Sequence, residues 1–210
     1  MYFAKLTGSR EVPSARIIKP ADVSGSARIG RGSVVWQLAQ VRESAVIGEG
    51  CIIGRGAYIG GGVRIGRHCK IQNYALVYEP AVLGDGVFIG PGAVLTNDLY
   101  PRAVNPDGSL KTDQDWHPVG MTVEDGASIG ARAVCVAPVH VGAWAAVAAG
   151  AVVIRDVPAH ALVAGVPARQ IGWVGHAGLR LVAENGHWRC PSTGRIYQEN
   201  DGAVRVVETR

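Results

Sequence analysis

The chain has 210 residues with 48% hydrophobic and 6% aromatic side chains, 29 glycines and a formal net charge of +4. This composition is typical of a fold with many tight turns around one thin, aliphatic core. The small charge, the absence of a basic run interleaved with aromatics and the lack of an apolar run of about 20 residues argue against nucleic-acid binding and a membrane span. The first residues show no secretory signal pattern, so we expect a cytoplasmic protein.

Residues 1–20 are predicted to be a lead-in, and a strict repeat follows them. An aliphatic residue occupies every sixth position over a long stretch, and the series resumes after a gap. Its members are Val23, Ile29, Val35, Val41, Ile47, Ile53, Ile59, Ile65, Ile71, Val77, Leu83, Ile89 and Leu95, then Val123, Ile129, Cys135, Val141, Val147 and Val153. A period of six fits neither a helix nor a single strand, and it indicates stacked repeats.

Many of the hexads follow the pattern aliphatic-Gly-x-x-small-x, which resembles the hexapeptide repeat of left-handed parallel β-helix proteins. The resemblance implies three hexads per triangular coil, with the aliphatic and small side chains stacked inside and coils about 4.8 Å apart. We attribute the glycine after the aliphatic residue to a positive φ at each corner. The fold class predicted for residues 21–172 is therefore an all-β, left-handed parallel β-helix.

The four cysteines lie within this pattern or beyond it, and none forms a CxxC pair. Cys51 and Cys69 stand 18 residues apart at small positions, so we expect them to stack in neighbouring coils as reduced core residues. Cys190 has no cysteine near it, and a zinc ribbon is not supported.

The repeat also predicts which residues share a corner, since residues 18 apart should stack. One corner consists of glycine in four successive coils, whereas the other two carry larger residues. At one of these, Glu79 and Asn97 should be neighbours along the axis. The chain leaves the repeat at the same place, in a polar, Pro- and Gly-rich excursion over residues 97–122. Such a loop on a rigid scaffold is commonly functional, although a tolerated surface insertion remains the alternative.

The last segment, residues 173–210, is predicted to be an appendage. A short helix around Leu179–Ala183 would cap the open end of the stack. The tail alternates polar and apolar residues around Pro-Ser-Thr-Gly and Asn-Asp-Gly, which predicts a β-hairpin.

Three segments are more specific than the repeat. They are VVWQLAQV, KIQNYALVYEPAVLGDGVFIGPGAVLTND followed by YPRA, and the stretch from GASIG to GVPARQIGWVG. Together they resemble bacterial N-acetyltransferases that modify the 3-amino group of UDP-2-acetamido-3-amino-2,3-dideoxyglucuronate or of dTDP-3-amino-6-deoxyhexoses. The resemblance implies a homotrimer with acetyl-CoA bound in the groove between neighbouring prisms. Gln37 and Gln40 stand where that family commonly has histidines, and Gly54-Arg55-Gly56 replaces its GQN, which puts the acceptor sugar in doubt.

The same resemblance implies a set of site residues. Residues for acetyl-CoA are Ala148, Ala149, Gly150, Arg155, Val166, Pro167 and Arg169. Candidates for the nucleotide sugar are Gln72, Asn73, Tyr78, Tyr100 and Arg102. Asn97, in the LTN motif, would orient the acceptor amine. The register, not the resemblance, suggests that its neighbour Glu79 holds the sugar or relays a proton, and His117 is the candidate base because it lies in the excursion. Each has a structural alternative: turn capping for Asn97, an internal polar ladder for Gln72 and Asn73, corner packing for the tyrosines, and solvent exposure for the charged residues and His117.

The predicted function is therefore acetyl transfer from acetyl-CoA to an amino group of a UDP- or dTDP-linked sugar. A neutral amine attacks a thioester readily, so a strong base is dispensable. Transfer of an acyl group to a hydroxyl is the rival within the fold, and a non-catalytic scaffold is the rival outside it. No histidines are spaced as metal ligands, and we expect no metal.

Overall fold

The computed structural model describes residues 14–200 and 202–207, and their regular secondary structure is almost entirely short β-strands. In the repeat, strands of two residues recur at six-residue intervals, and each strand after the first ends on a predicted aliphatic residue. The first fourteen are β1 (Arg16–Ile17), β2 (Asp22–Val23), β3 (Arg28–Ile29), β4 (Val34–Val35), β5 (Gln40–Val41), β6 (Val46–Ile47), β7 (Ile52–Ile53), β8 (Tyr58–Ile59), β9 (Arg64–Ile65), β10 (Lys70–Ile71), β11 (Leu76–Val77), β12 (Val82–Leu83), β13 (Phe88–Ile89) and β14 (Val94–Leu95). After the excursion come β15 (Thr122–Val123), β16 (Ser128–Ile129), β17 (Val134–Cys135), β18 (His140–Val141), β19 (Ala146–Val147) and β20 (Val152–Val153).

Every third strand pairs in parallel, which generates three sheets around a prism of about eight coils. Ile53, for example, lies between Val35 of the preceding coil and Ile71 of the next. The first sheet begins β1-β4-β7, the second β2-β5-β8, and the third contains β3, β6 and β9. The predicted all-β solenoid with three hexads per coil is confirmed.

The aliphatic positions form the core, as predicted. Each of them from Val35 to Val153 is buried, while Val23 and Ile29 at the N-terminal end of the stack are only partly covered. Burying one such side chain contributes about 1.5–3 kcal/mol relative to exposure. Cys51 and Cys69 are buried free thiols in adjacent coils, with the Cys69 N–H 3.4 Å from Cys51 Sγ, which confirms their predicted stacking.

The glycine after each aliphatic residue has a cause other than the one predicted. Gly48 and its equivalents lie outside the left-handed region, and the positive φ falls two residues later, as at Gly50. A Cβ on Gly48 would lie 2.5 Å from the carbonyl oxygen of Gly66. Close approach of the next coil's backbone, not an unusual φ, therefore favours glycine there.

The excursion enters and leaves the prism without breaking its sheets. β12 still pairs with β15, and β14 with β17, but the offset between partners rises from 18 to 40 residues. Within the excursion, Val104 and Leu110 form an antiparallel bridge. Thr112 then opens a one-turn 3-10 helix (Asp113–Asp115), whose last carboxylate accepts hydrogen bonds from the Thr112 N–H and hydroxyl.

The short C-terminal helix predicted around Leu179–Ala183 is wrong: the described residues contain no α-helix, and this segment leads into a strand. The chain forms β21 (Ala161–Gly165), β22 (Ala168–Trp173), β23 (Val182–Glu184), β24 (His187–Arg189), β25 (Ile196–Asn200) and β26 (Ala203–Val206). Asn185 and Gly186 both have positive φ between β23 and β24. Asn-Gly is the preferred two-residue hairpin turn, and this short run of helix-forming residues does not outweigh it.

The predicted tail hairpin is confirmed as part of a larger unit. β23 to β26 form one four-stranded antiparallel sheet, while β21 and β22 form a separate hairpin that continues the first sheet of the prism.

Of the predicted lead-in, residues 1–13 lie outside the described residues, and β1 already pairs with β4. In the described ranges no helix has the length and apolar character to cross a bilayer.

Close coil stacking predicts unequal effects for two glycine substitutions. Gly48→Ala places a Cβ against Gly66, so the free energy of unfolding should fall by about 1–3 kcal/mol. At Gly25, no atom lies within 4 Å of an added Cβ, and Gly25→Ala should change stability by less than about 0.5 kcal/mol. Urea denaturation followed by circular dichroism measures both, and equal losses would contradict the stacking argument.

Candidate active site

Both ends of the excursion are anchored at the corner between the second and third sheets. Asn97 begins the excursion, and its backbone carbonyl accepts a hydrogen bond of 3.0 Å from the Val119 N–H. The next residue, Gly120, packs so closely on Pro80 that an added Cβ would lie 2.8 Å from the Pro80 carbonyl oxygen. His117 is exposed and precedes Val119 by two residues along the chain. We name Tyr78, Glu79, Pro80 and Asn97 the excursion corner.

Glu79 is the chemically unusual residue of the excursion corner. Its Oε2 atom is buried and has no hydrogen-bond partner among the described residues. That oxygen lies against Gly60 in the preceding coil, in the space that a Cβ would occupy. A buried carboxylate oxygen without a donor carries an uncompensated desolvation cost of about 1–3 kcal/mol. Such a carboxylate is a candidate acceptor for a donor on a ligand, provided that it can turn outward.

The register places Asn97 one coil after Glu79, as the period of 18 predicts. The Glu79 carboxylate lies toward Gly60, in the coil before. Asn97 is half-buried, and the neighbouring Thr96 accepts the Ala137 N–H at 3.0 Å through its hydroxyl oxygen. The structure therefore brings the two residues to one corner, and Glu79 Oε2 has no hydrogen bond to Asn97.

Aromatic side chains flank the excursion corner on the side of the earlier coils. The rings of Tyr58 and Tyr78 lie 5.1 Å apart at a tilt of 45°. Burial raises the pKa of the Tyr58 phenol, and the negative charge of Glu79 raises it further. Two coils before Glu79, the Arg42 guanidinium forms a salt bridge with the Glu43 carboxylate, with 3.0 Å between Nε and Oε2. Tyr58 and Gly60 were not predicted as site residues, although the 18-residue register places them one coil before the Tyr78–Glu79 pair.

Gln72 and Asn73 lie at a different corner, between the first and second sheets. The Asn73 Oδ1 atom accepts the Arg55 N–H at 2.9 Å, a bond between coils of the kind that a structural ladder would make. Gln40, which replaces a histidine of the resembled family, donates to Asp22 Oδ2 at 3.1 Å. These side chains are therefore partly engaged in holding coils together.

Tyr100 and Arg102 lie at the start of the excursion and are exposed. The Tyr100 side chain is 78% exposed, and its backbone N–H donates to Asp98 Oδ1. The Arg102 guanidinium donates to the neighbouring Pro101 carbonyl at 2.8 Å. Neither side chain is fixed by contact with the excursion corner.

The residues predicted for acetyl-CoA divide among the same two corners and the β21–β22 hairpin. Ala148, Ala149 and Gly150 lie between β19 and β20, at the corner that carries Asn73. Arg155 lies instead on the column of Glu79 and Asn97, two coils beyond Asn97. Val166, Pro167 and Arg169 stand at the exposed tip and second strand of the β21–β22 hairpin. The Gly150 Cα has open space beside it, and the arginines are exposed, which fits a phosphate-bearing chain lying on this surface.

Comparison with known families identifies the architecture. A model described as bacterial transferase hexapeptide (six repeats) matches residues 26–61 and 62–97, and one described as hexapeptide repeat of succinyl-transferase matches residues 120–155. The chain belongs to the hexapeptide-repeat, left-handed β-helix acyltransferase family. The long excursion accounts for the gap between the two matches.

Relatives of this hexapeptide-repeat protein act on chemically different acceptors. It is 43% identical over 82 residues to dTDP-3-amino-3,6-dideoxy-alpha-D-galactopyranose 3-N-acetyltransferase of Aneurinibacillus thermoaerophilus, covering 39% of the chain and 42% of the relative. It is 45% identical over 67 residues to serine acetyltransferase 4 of Arabidopsis thaliana, covering 32% and 18%. The chain thus spans less than half the length of either relative.

A solved structure supports the fold alone. The UDP-N-acetylglucosamine acyltransferase LpxA of Bacteroides fragilis superimposes with a TM-score of 0.62 at 18% identity, covering 77% of this chain and 58% of that one. This likeness agrees with the three-sheeted prism.

Proposed function

We propose that this protein is an acetyl-CoA-dependent N-acetyltransferase whose acceptor is an amino group, in particular the 3-amino group, of a UDP- or dTDP-linked sugar. The observation that carries the proposal is the excursion corner, where a carboxylate, an asparagine and the return limb of a long loop meet on a hexapeptide-repeat prism. The 43% identity to an amino-sugar 3-N-acetyltransferase supports this acceptor class.

The reaction needs little proton chemistry from the protein. The lone pair of the neutral sugar amine forms the C–N bond to the thioester carbonyl, the C–S bond breaks, and the nitrogen proton passes to the departing thiolate of coenzyme A. Asn97 orients the amine through its amide oxygen. Glu79 turns outward to accept a donor from the sugar, which relieves the cost of its buried oxygen. Backbone N–H groups stabilise the developing oxyanion.

The proposed site is completed between copies of the chain. Asn73 and Ala148–Gly150 lie at one corner of the prism, whereas Glu79, Asn97 and Arg155 lie at another. One extended ligand contacts both sets if the first corner of one protomer faces the second corner of its neighbour. A cyclic homotrimer with three equivalent grooves has this arrangement. Acetyl-CoA then lies along the groove toward the hairpin, with Arg155 and Arg169 near its phosphates.

Transfer to a hydroxyl is the second candidate. The match to a serine acetyltransferase favours it, as does an exposed histidine, His117, two residues before the Val119 that bonds to the excursion corner. A hydroxyl is a poor nucleophile until a base removes its proton, and such a base contributes about 10²–10⁴-fold. His117 is the residue available for this task.

Two substitutions distinguish the candidates. For amine transfer, Asn97→Ala should lower kcat/KM about 10²-fold through poorer orientation, and His117→Ala should change it less than about threefold. Activity is measured as free thiol release from acetyl-CoA with a panel of UDP- and dTDP-linked amino sugars and with hydroxyl acceptors such as serine. His187→Ala is the matched control, since His187 is an exposed histidine on β24.

Three results would contradict amine transfer. Loss of turnover in His117→Ala together with activity on hydroxyl acceptors would support transfer to oxygen. Absence of thiol release with every amino sugar would refute the proposed acceptor. Failure to bind coenzyme A in calorimetry would favour a scaffold.

The position of Glu79 gives a second prediction. Glu79→Ala removes the acceptor that the outward-turned carboxylate offers to the sugar, so kcat/KM should fall about tenfold or more. Glu49→Ala is the matched control, because Glu49 is an exposed glutamate at the corner between the third and first sheets, away from the proposed site. Equal activity of the two variants would show that the Glu79 carboxylate is irrelevant to turnover.

A further inference from the structure

Two backbone strands and a buried imidazole close the base of the β21–β22 hairpin. His160 directly precedes β21 and Val174 directly follows β22. The Val174 N–H donates to the His160 carbonyl at 2.8 Å, and His160 Nδ1 lies 2.9 Å from the Val174 carbonyl oxygen. A carbonyl can only accept, so Nδ1 of His160 carries the hydrogen. The His160 side chain is buried, with 6% of the residue exposed.

A second imidazole joins this base to the C-terminal sheet. Tyr197 of β25 is completely buried, and its hydroxyl oxygen accepts the His176 N–H at 3.0 Å. The same oxygen lies 2.9 Å from His176 Nδ1. Because the Tyr197 O–H needs an acceptor, and Nδ1 is the acceptor that the described residues offer it, His176 must be neutral with a bare Nδ1.

The two histidines are therefore held as opposite tautomers, and they are in ring contact. Their centroids lie 5.0 Å apart, and His176 also packs on Trp144 at 4.4 Å. Burial lowers the pKa of both imidazoles, and the charges of His160 and Arg195 lower that of His176 further. Glu199, the carboxylate on β25, accepts the indole N–H groups of Trp173 and Trp188.

We propose that His160, Val174, His176 and Tyr197 form a clasp that holds the hairpin and the C-terminal sheet together only while both imidazoles are neutral. A proton on His176 Nδ1 leaves the buried Tyr197 hydroxyl without an acceptor, and a proton on His160 places a charge beside His176. The hairpin tip at residues 165–168 then loosens. On the proposed function, this tip adjoins the bound acetyl-CoA, so acidification weakens cosubstrate binding at that site.

The direction of the effect follows from proton linkage. A histidine whose pKa is lower in the closed clasp than in the open one stabilises the closed form above the open-state pKa of about 6.5. This stabilisation is lost as the pH falls through the folded pKa. Between pH 7.5 and pH 5.5, each such histidine weakens closure by up to about tenfold.

Hydrogen exchange of the free protein tests the clasp. Amide protection factors for residues 161–173, corrected for intrinsic exchange, should fall by up to about tenfold per histidine between pH 7.5 and pH 5.5. His176→Gln should flatten this dependence, because a glutamine oxygen accepts the Tyr197 hydroxyl without titrating. Tyr197→Phe removes the hydroxyl that needs an acceptor, and it should also reduce the pH dependence of the protection factors. His187→Gln, at an exposed position, should behave as the parent protein.

Constant protection in the parent protein, or the same loss in His176→Gln and Tyr197→Phe as in the parent, would overturn the clasp. Calorimetry with coenzyme A over the same pH range separates this outcome from failure of the proposed function. Weaker binding at pH 5.5 that His176→Gln suppresses supports both. An absence of binding at every pH refutes the transferase proposal, and the exchange data alone then decide on the clasp.

Discussion

Parallel hydrogen bonding between successive coils is the interaction on which the rest of this structure depends. A strand of two residues cannot bury a side chain or satisfy its backbone by itself, so each coil is stable only against its neighbours. The stacking distance is short enough to exclude a Cβ at Gly48, and it fixes which residues share a corner. Every proposed contact at Glu79 or Asn97 is a consequence of this register.

The interior of the prism could be predicted from the sequence because its rule is local and repeats at a fixed interval. The reason why glycine follows the aliphatic residue could not be predicted in this way. It depends on the distance between the backbones of neighbouring coils and not on the φ of one residue. The helix predicted near Leu179 does not form. The Asn185-Gly186 turn favours a hairpin more strongly than the short run of helix-forming residues before it favours a helix. In that segment the turn was the stronger signal.

For the candidate site, the sequence predicts only which residues share a corner of the prism, because this follows from the coil register. An offset of 18 residues places Glu79 beside Asn97, whereas Arg155 joins the same column only through the offset of 40 residues across the excursion followed by one of 18. The direction of the Glu79 carboxylate depends on three-dimensional packing against Gly60, which no spacing in the sequence encodes. The division of the remaining residues between two corners likewise follows from the closed shape of a coil. On the proposed function, this division is why an extended ligand would need two protomers to contact both sets of residues.

The excursion joins the prism at a corner, and the sheets on either side of it pair as though it were absent. Lengthening a loop whose ends are already fixed costs only about 0.6 kcal/mol per doubling. Its composition can therefore diverge while the core sequence stays constant. In evolution or design, the excursion is an exchangeable segment that could be replaced while the pairing between coils stays unaltered.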